Sequence, residues 1–336
     1  MSDKMKAIQY NKNKSGEDFA DVLQMVSIPV PKASPGLAIV KIAATSSNPI
    51  DFKVLQGHYT AMWSMPLPFT VGYDFSGTIY EVDKADESKW PVGKDVFGVQ
   101  WGKGKHDEGD MPAGGAFAQY ITVPVSRLSV KPAGLSHEAA ASSALVGTTA
   151  QQIVKRCVGV TKDDKVLILG GATAVGMIAV QLAVQIGAKV FTTASPRNKD
   201  FVESLGDGIT TIDYHAEKWW ELDATKGVDS VIDCAGEEGG WEHAQKVLEP
   251  VGNFVSIAAL DVGFDPKGHA PRNYASFHAF SNDPDAQDEI SAALVAGTIK
   301  IPLVEPSYPF SEQGAKDLLI AQAKGAHTGK LVMKIE

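Results

Sequence analysis

The stretch LILGGATAVGMIAVQLA, residues 167–183, constrains the fold of this chain more than any other segment. A short run of Leu and Ile passes through Gly170 and Gly171 straight into an apolar helix. Small residues allow so tight a turn, and the helix's first N–H groups, which have no partner within the helix, then face an anion. Downstream the pattern alternates: KVFTTA (189–194), a helix over 198–205, ITTID (209–213), a helix near Trp219, VDSVIDCAG (228–236), a helix over 241–248 and NFVSIAA (253–259). Strands separated by helices predict βαβ units and a parallel, doubly wound α/β sheet of the Rossmann type. The turn therefore reads as a pyrophosphate site, with Gly171, Thr173, Ala174, Val175 and Gly176 as cofactor-binding residues. Thr173 stands where the usual GxGxxG fingerprint has its middle glycine.

The chain before this domain has another character. Up to about Val130 it is a series of short β-type runs broken by Pro and Gly, among them 22–30, 38–44, 77–82, 95–99 and 116–123. The segment Trp101 to Gly115 is polar and Gly-rich and reads as a loop. After residue 270, short β-type runs return at 299–304, 308–310 and 330–335. The expected organisation is a β-rich domain over 1–130, a Rossmann domain over 131–270, and a return to the first domain over 271–336.

Composition narrows the function. Only Cys157 and Cys234 are present, too few for a four-cysteine zinc site or a secreted disulfide framework, so a cytoplasmic setting is expected. A net charge of −9 argues against nucleic acid and anionic membrane as partners. No histidine pairs with another at metal-ligand spacing, so no metal site is expected. The strand after the turn ends in TTASPRNKD, with Ser195, Arg197 and Lys199 and no acid before Asp200. A carboxylate there would suit the free ribose hydroxyls of NAD. Cations and hydroxyls suit a 2'-phosphate, so NADPH is the expected cofactor. The open carboxyl edge of such a sheet binds ligands, which brings in Cys234, Ala235, Ile257 and Ala258.

Seven segments together carry a family resemblance: NPIDFKVLQGHY (48–59), VGYDFSGTI (71–79), AFAQYITVP (116–124), LVGTTA (145–150), the turn itself, GVDSVIDCAG (227–236) and HTGKLVMKI (327–335). In that order they resemble the medium-chain dehydrogenase/reductase superfamily, in its zinc-free quinone oxidoreductase and enoyl reductase branch. The resemblance implies a GroES-like catalytic domain beside the Rossmann domain. It places Asn48, Tyr73 and, approximately, Leu145 where zinc-dependent members hold their catalytic metal. Asn and Tyr are poor zinc donors and Leu is none, so reversible alcohol oxidation, which needs that Lewis acid, is not expected.

The chemistry implied is hydride transfer to an acceptor that is already electrophilic, a quinone or an activated alkene. By resemblance Tyr59 is the candidate proton donor, or else a cleft-wall tyrosine with its hydroxyl in water. Asn48 and Asp51 shape the catalytic site, or else form a turn with Asp51 capping the helix that follows. Trp63 and Tyr73 line the acceptor pocket or belong to the core. Tyr214 meets the adenosine half of the cofactor, while Phe277 and Phe280 meet the nicotinamide amide or serve as packing. A homodimer through the edge strand near NFVSIAAL is also implied. The leading reading is an NADPH-dependent, zinc-independent quinone reductase. Alternatives are an enoyl or 2-alkenal reductase of the same superfamily, and an NADPH-binding protein without catalysis.

Overall fold

Alternation of exposed and buried side chains lays the N-terminal third out as strands. The computed structural model describes residues 4–58, 60, 66–100, 115–258, 274–277 and 282–335, with 274–277 described by backbone alone. Strands β1 (Lys4–Tyr10), β2 (Gln24–Pro29) and β3 (Leu37–Ser46) are followed by helix α1 (Pro49–Gln56) and then β4 (Phe69–Thr70), β5 (Asp74–Val82), β6 (Asp95–Val99), β7 (Tyr120–Pro124) and β8 (Ser129–Val130). β1 precedes the first β-type run that the sequence marks, 22–30. Its alternate residues Met5 and Ala7 turn inward onto Ala118, and that alternation is what makes it a strand.

Helix α2 (His137–Gln151) leads into β9 (Lys165–Leu169), α3 (Ala174–Ile186), β10 (Lys189–Ala194), α4 (Lys199–Glu203), β11 (Thr210–Asp213), β12 (Val228–Asp233), α5 (Gly240–Ala244), β13 (Leu248–Ser256) and β14 (Tyr274–Phe277). The chain closes with α6 (Pro284–Val295), β15 (Tyr308–Pro309), α7 (Glu312–Lys324) and β16 (Val332–Lys334).

The chain divides into two compact units. The first runs to Leu145 and resumes over 282–298 and 302–335; the second starts at Val146 and includes Ile299–Ile301. The first unit thus extends past 130, because α2 is tied to its sheet: Ala141 packs on Ala44 and Val332, and Leu145 N–H donates to Asp74. Among its described residues, strands run in the order β15-β16-β3-β5-β6-β8, with β7 also on β3, beside a smaller sheet β2-β1-β4. The return of the C-terminal segment is a physical pairing: β16 joins β3 antiparallel, Val332 opposite Ser46.

The second unit holds a parallel sheet in the order β11-β10-β9-β12-β13-β14. The order reverses between β9 and β12, the switch point at which doubly wound sheets bind ligands. Its core packs Leu167, Val231, Phe254 and Trp241 with Trp219.

Three expected elements differ. The helix near Trp219 is absent. Trp219 enters the core, Thr225 Oγ1 donates to the Trp219 carbonyl and Thr225 N–H donates to the Leu222 carbonyl, so those groups are satisfied in turns. The helix over 241–248 shortens to α5 because Leu248 already pairs with Val228. Residues 299–304 form no strand, only a bridge from Leu303 to Lys330, and Gln181 takes both backbone groups of Lys300 instead. Among the described residues, no helix is long and apolar enough to cross a membrane.

Candidate functional site

In the second unit the turn after β9 is built from backbone. Gly170 adopts φ +82°, and the Gly170 and Gly171 N–H groups are bound to Thr193, through its hydroxyl and its carbonyl. A Cβ on Gly176 would lie 2.1 Å from the Gly170 carbonyl oxygen, so only glycine lets α3 start so close to β9. Thr173 is the N-cap of α3. Its hydroxyl donates to the Gly170 carbonyl at 2.8 Å and accepts from Gly176 N–H at 3.0 Å. The threonine that departs from the fingerprint thus closes the turn on itself. The N–H groups of Ala174 and Val175, which the first helical turn cannot pair internally, are left for an anion.

The neighbouring edge is held by Asp233, which sequence reasoning missed. Buried at the end of β12, its carboxylate accepts from the Ala235 and Gly236 N–H groups at 3.0 and 2.9 Å and from Ser256 Oγ at 2.9 Å. Burial pushes its pKa up, while these donors pull it back. Asp233 therefore pins the segments carrying Cys234, Ala235, Ile257 and Ala258, and burial pushes the Cys234 thiol far above its ordinary value. An Asp at the end of a predicted strand in a switch-point position was the signal available for it. At the end of β10, Ser195 is half-buried and Arg197 and Lys199 are exposed, with no carboxylate between Ala194 and Asp200. Tyr214, also exposed, follows β11 with its ring 4.3 Å from that of His215. These donors and open amides fit a dinucleotide carrying a 2'-phosphate.

In the first unit the polar centre is Asp74, fully buried at the start of β5. Its Oδ2 accepts from Ser46 Oγ at 2.6 Å, Asn48 Nδ2 at 2.7 Å and Lys330 Nζ at 3.4 Å, while Oδ1 accepts from Leu145 N–H at 2.9 Å. Lys330 is buried too; its ammonium also donates to the Ser47 carbonyl and to Asn48 Oδ1, each at 2.7 Å. Burial lowers its pKa, and Asp74 and Asp51 oppose that shift.

Asn48 and Asp51 form a capping box on α1, with Asp51 Oδ2 accepting from Asn48 N–H at 2.6 Å. Asp51 is buried, and its Oδ1 has no hydrogen-bond partner among the described residues. Burial, with Asp74 adding repulsion, raises its pKa to about 8, so its carboxyl holds a proton at neutral pH. Burial raises the hydroxyl pKa values of Tyr10 and Tyr73, and Asp51, once it ionises at higher pH, pushes them up further.

The structure brings Asn48 Nδ2 and Leu145 N–H onto the carboxylate of Asp74, the residue after Tyr73. What the three positions equated with zinc ligands offer is an amide N–H pointed at a carboxylate, a buried phenol and a backbone N–H, with an ammonium beside them. That donor set does not fit a zinc ion. Tyr73 itself is buried, its ring 6.4 Å from Phe69. Tyr59, Trp63 and Phe280 lie outside the described residues, and Phe277 is placed only as the last backbone position of β14. Sequence reasoning missed Asp74 and Ser46, as well as Lys330, which the sequence presents only as part of a strand.

Two domain families match the chain: the alcohol dehydrogenase GroES-like domain over residues 34–133 and the zinc-binding dehydrogenase domain over residues 174–281. A 2-methylene-furan-3-one reductase of Solanum lycopersicum is 30% identical over 316 residues, covering 93% of this chain and 76% of that protein. The NADPH-dependent alkenal/one oxidoreductase of Arabidopsis thaliana, a chloroplastic protein, matches with the same identity and coverage. Among solved structures, the quinone oxidoreductase from Coxiella burnetii superposes with a TM-score of 0.80 at 28% identity, covering 99% of this chain and all of that one.

Proposed function

The chain belongs to the medium-chain dehydrogenase/reductase superfamily, and from that premise we propose that it is an NADPH-dependent, zinc-independent reductase acting on quinones. The observation that carries this reading is the donor set around Asp74. A carboxylate already saturated by Ser46, Asn48, Leu145 and Lys330 offers nothing to a zinc ion, so the acceptor must be electrophilic without one. Bound NADPH supplies the hydride. The protein's part is to bind and orient. Ala174 and Val175 N–H receive the pyrophosphate at the start of α3, and Ser195, Arg197 and Lys199 receive the 2'-phosphate. Tyr214 faces the adenosine, and the backbone at Ala235, Ile257 and Ala258, fixed by Asp233 and Ser256, faces the nicotinamide half. Phe277 and Phe280 belong to that same half. In the first unit, Tyr59 gives a proton or a hydrogen bond to the oxygen anion of the reduced acceptor, and Trp63 and Tyr73 shape its pocket. Asn48 and Asp51 act by positioning that segment.

A second reading is favoured by the two plant relatives, whose names specify reduction of a furanone and of alkenals. NADPH oxidation measured with a benzoquinone, a 2-alkenal and an enoyl thioester separates the two. Turnover of the benzoquinone sustains the first reading; turnover of the alkenal or thioester alone replaces it with the second. For the cofactor, Arg197→Ala is expected to weaken NADPH about tenfold through a lost charge-assisted hydrogen bond, leaving NADH unchanged. An unchanged NADPH affinity would remove the 2'-phosphate assignment. The strand near NFVSIAAL is not an edge, since β13 pairs with β12 on one side and β14 on the other, so the homodimer of this proposal continues the sheet past β14 instead, and a monomer by light scattering would end it.

A further inference from the structure

We infer that Glu237 is a positioning residue for the nicotinamide half of the cofactor: it ties the turn after β12 to the core of the second unit and so fixes the backbone at Ala235. Ala235 faces that half on the reading proposed above, on which this role rests, and Glu237 acts one step behind it. The turn is pinned at both ends. At its start, Asp233 Oδ1 accepts from the Ala235 and Gly236 N–H groups at 3.0 and 2.9 Å. At its end, the Trp219 Nε1–H is shared by both carboxylate oxygens of Glu237, at 3.1 Å from Oε1 and 2.9 Å from Oε2.

The second pin is firm because of what stands behind it. Trp219 is buried in the core cluster, and its carbonyl is held by Thr225 Oγ1. His243 of α5 closes on Glu237 from another side, its Nδ1 3.4 Å from Oε1 and its ring stacked on Trp220 at 3.5 Å and 3°. Glu237 itself is half-buried, and a carboxylate drawn partly out of water holds such donors more strongly than a neutral acceptor does. Between the pins, Gly236 adopts φ +73° and sits against the next strand end: a Cβ there would lie 2.9 Å from the Ala258 Cβ. The turn is thus seated on the second backbone segment assigned to the nicotinamide half. With the Glu237 end released, the turn keeps Asp233 and loses its tie to the core, and Ala235 and Gly236 are free to lift from Ala258. The start of α3 and residues 195–199, which serve the adenosine half, belong to other loops and keep their places.

Isothermal titration calorimetry of the full chain tests this with two probes: NADPH, and adenosine 2',5'-bisphosphate, which carries the adenosine half alone. Glu237→Ala is expected to weaken NADPH about tenfold, the worth of one charge-assisted hydrogen bond, and to leave the bisphosphate within about twofold. Trp219→Phe keeps a ring in the core but removes the donor, and should give the same selective loss. Glu237→Gln still offers an oxygen to Trp219 Nε1 and should restore NADPH to within about threefold of the unaltered protein. Loss of both ligands alike in Glu237→Ala and Trp219→Phe would overturn the role, since it would mean general damage to the unit. Unchanged NADPH binding in either variant would overturn it too, as would a Glu237→Gln variant no better than Glu237→Ala. Should Glu237→Ala fail to fold, Trp219→Phe set against Glu237→Gln still decides. An unaltered protein that binds neither probe would bring down the cofactor reading itself and this role with it, a result distinct from any failure confined to the variants.

Discussion

The phosphate turn of the second unit and the Asp74 cluster of the first hold their polar groups by opposite means. In the turn, contiguous residues 170–176 pair most of their own N–H groups and leave those of Ala174 and Val175, in the first turn of α3, without an intrahelical partner, so the local charge is open to a ligand. In the cluster, Ser46, Asn48, Leu145 and Lys330 converge on one carboxylate from distant parts of the chain. Their charges are spent on one another. The open site should therefore answer substitution in ligand affinity and the closed one in stability.

The largest effect is expected at Asp74. Removing its carboxylate in Asp74→Ala leaves the Lys330 ammonium buried without its counter-charge, which costs about 3–5 kcal/mol. Adding Lys330→Met should recover much of that loss, because a buried ion pair replaced on both sides by apolar groups is often close to neutral. Urea melts of the two variants check this. A single and a double variant of equal stability would show that the pair is not what the cluster depends on.

This contrast also explains what the sequence could show. The turn is legible because its logic is local: a buried strand, two glycines and a helix within one stretch, with Gly176 required by the approach of α3 to Gly170. The capping relation of Asn48 and Asp51, three residues apart, is legible for the same reason. Lys330 is not, since its partners Ser47, Asn48 and Asp74 lie more than 250 residues away and only the β16 pairing with β3 brings them close. Asp233 falls between these cases. Its place at a strand end could be read, but its bonds to Gly236 and Ser256 depend on the register of β12 and β13.

Next in size is a pH effect belonging to the closed site. The folded-state pKa of Asp51, about 8, lies above its unfolded value, so the folded protein binds more protons between roughly pH 4 and 8. Stability must fall as pH rises through that window, by at most about 1.4 kcal/mol per pH unit from this residue. Asp51→Asn keeps an acceptor for the Asn48 N–H and cannot ionise, so its melts should lack that share of the slope. Equal slopes in the two proteins would mean that Asp51 ionises normally, and that the cluster tolerates a second charge. In the open site, Gly176→Ala forces a Cβ against the Gly170 carbonyl and should cost about 1–3 kcal/mol by overpacking. The larger consequence there is a loss of NADPH affinity, measured by fluorescence titration, because α3 can no longer present its amides.

The smallest effect is the sharpest test of the comparison. Thr173→Gly restores the glycine of the usual fingerprint, and a reading in which that position must be bare for the pyrophosphate predicts tighter NADPH binding. The geometry predicts otherwise. The Thr173 hydroxyl is turned inward, between the Gly170 carbonyl and the Gly176 N–H, and does not stand over Ala174 and Val175. Replacing a threonine cap by glycine costs only a few tenths of a kcal/mol, so stability should change little. The N–H freed at Gly176 gains the anion as a partner only if the anion reaches that far into the first turn. Affinity for NADPH should accordingly stay within about twofold, a shift of less than 0.5 kcal/mol. A tenfold gain would show that the anion does reach Gly176, and that the cap competes with the ligand for one amide.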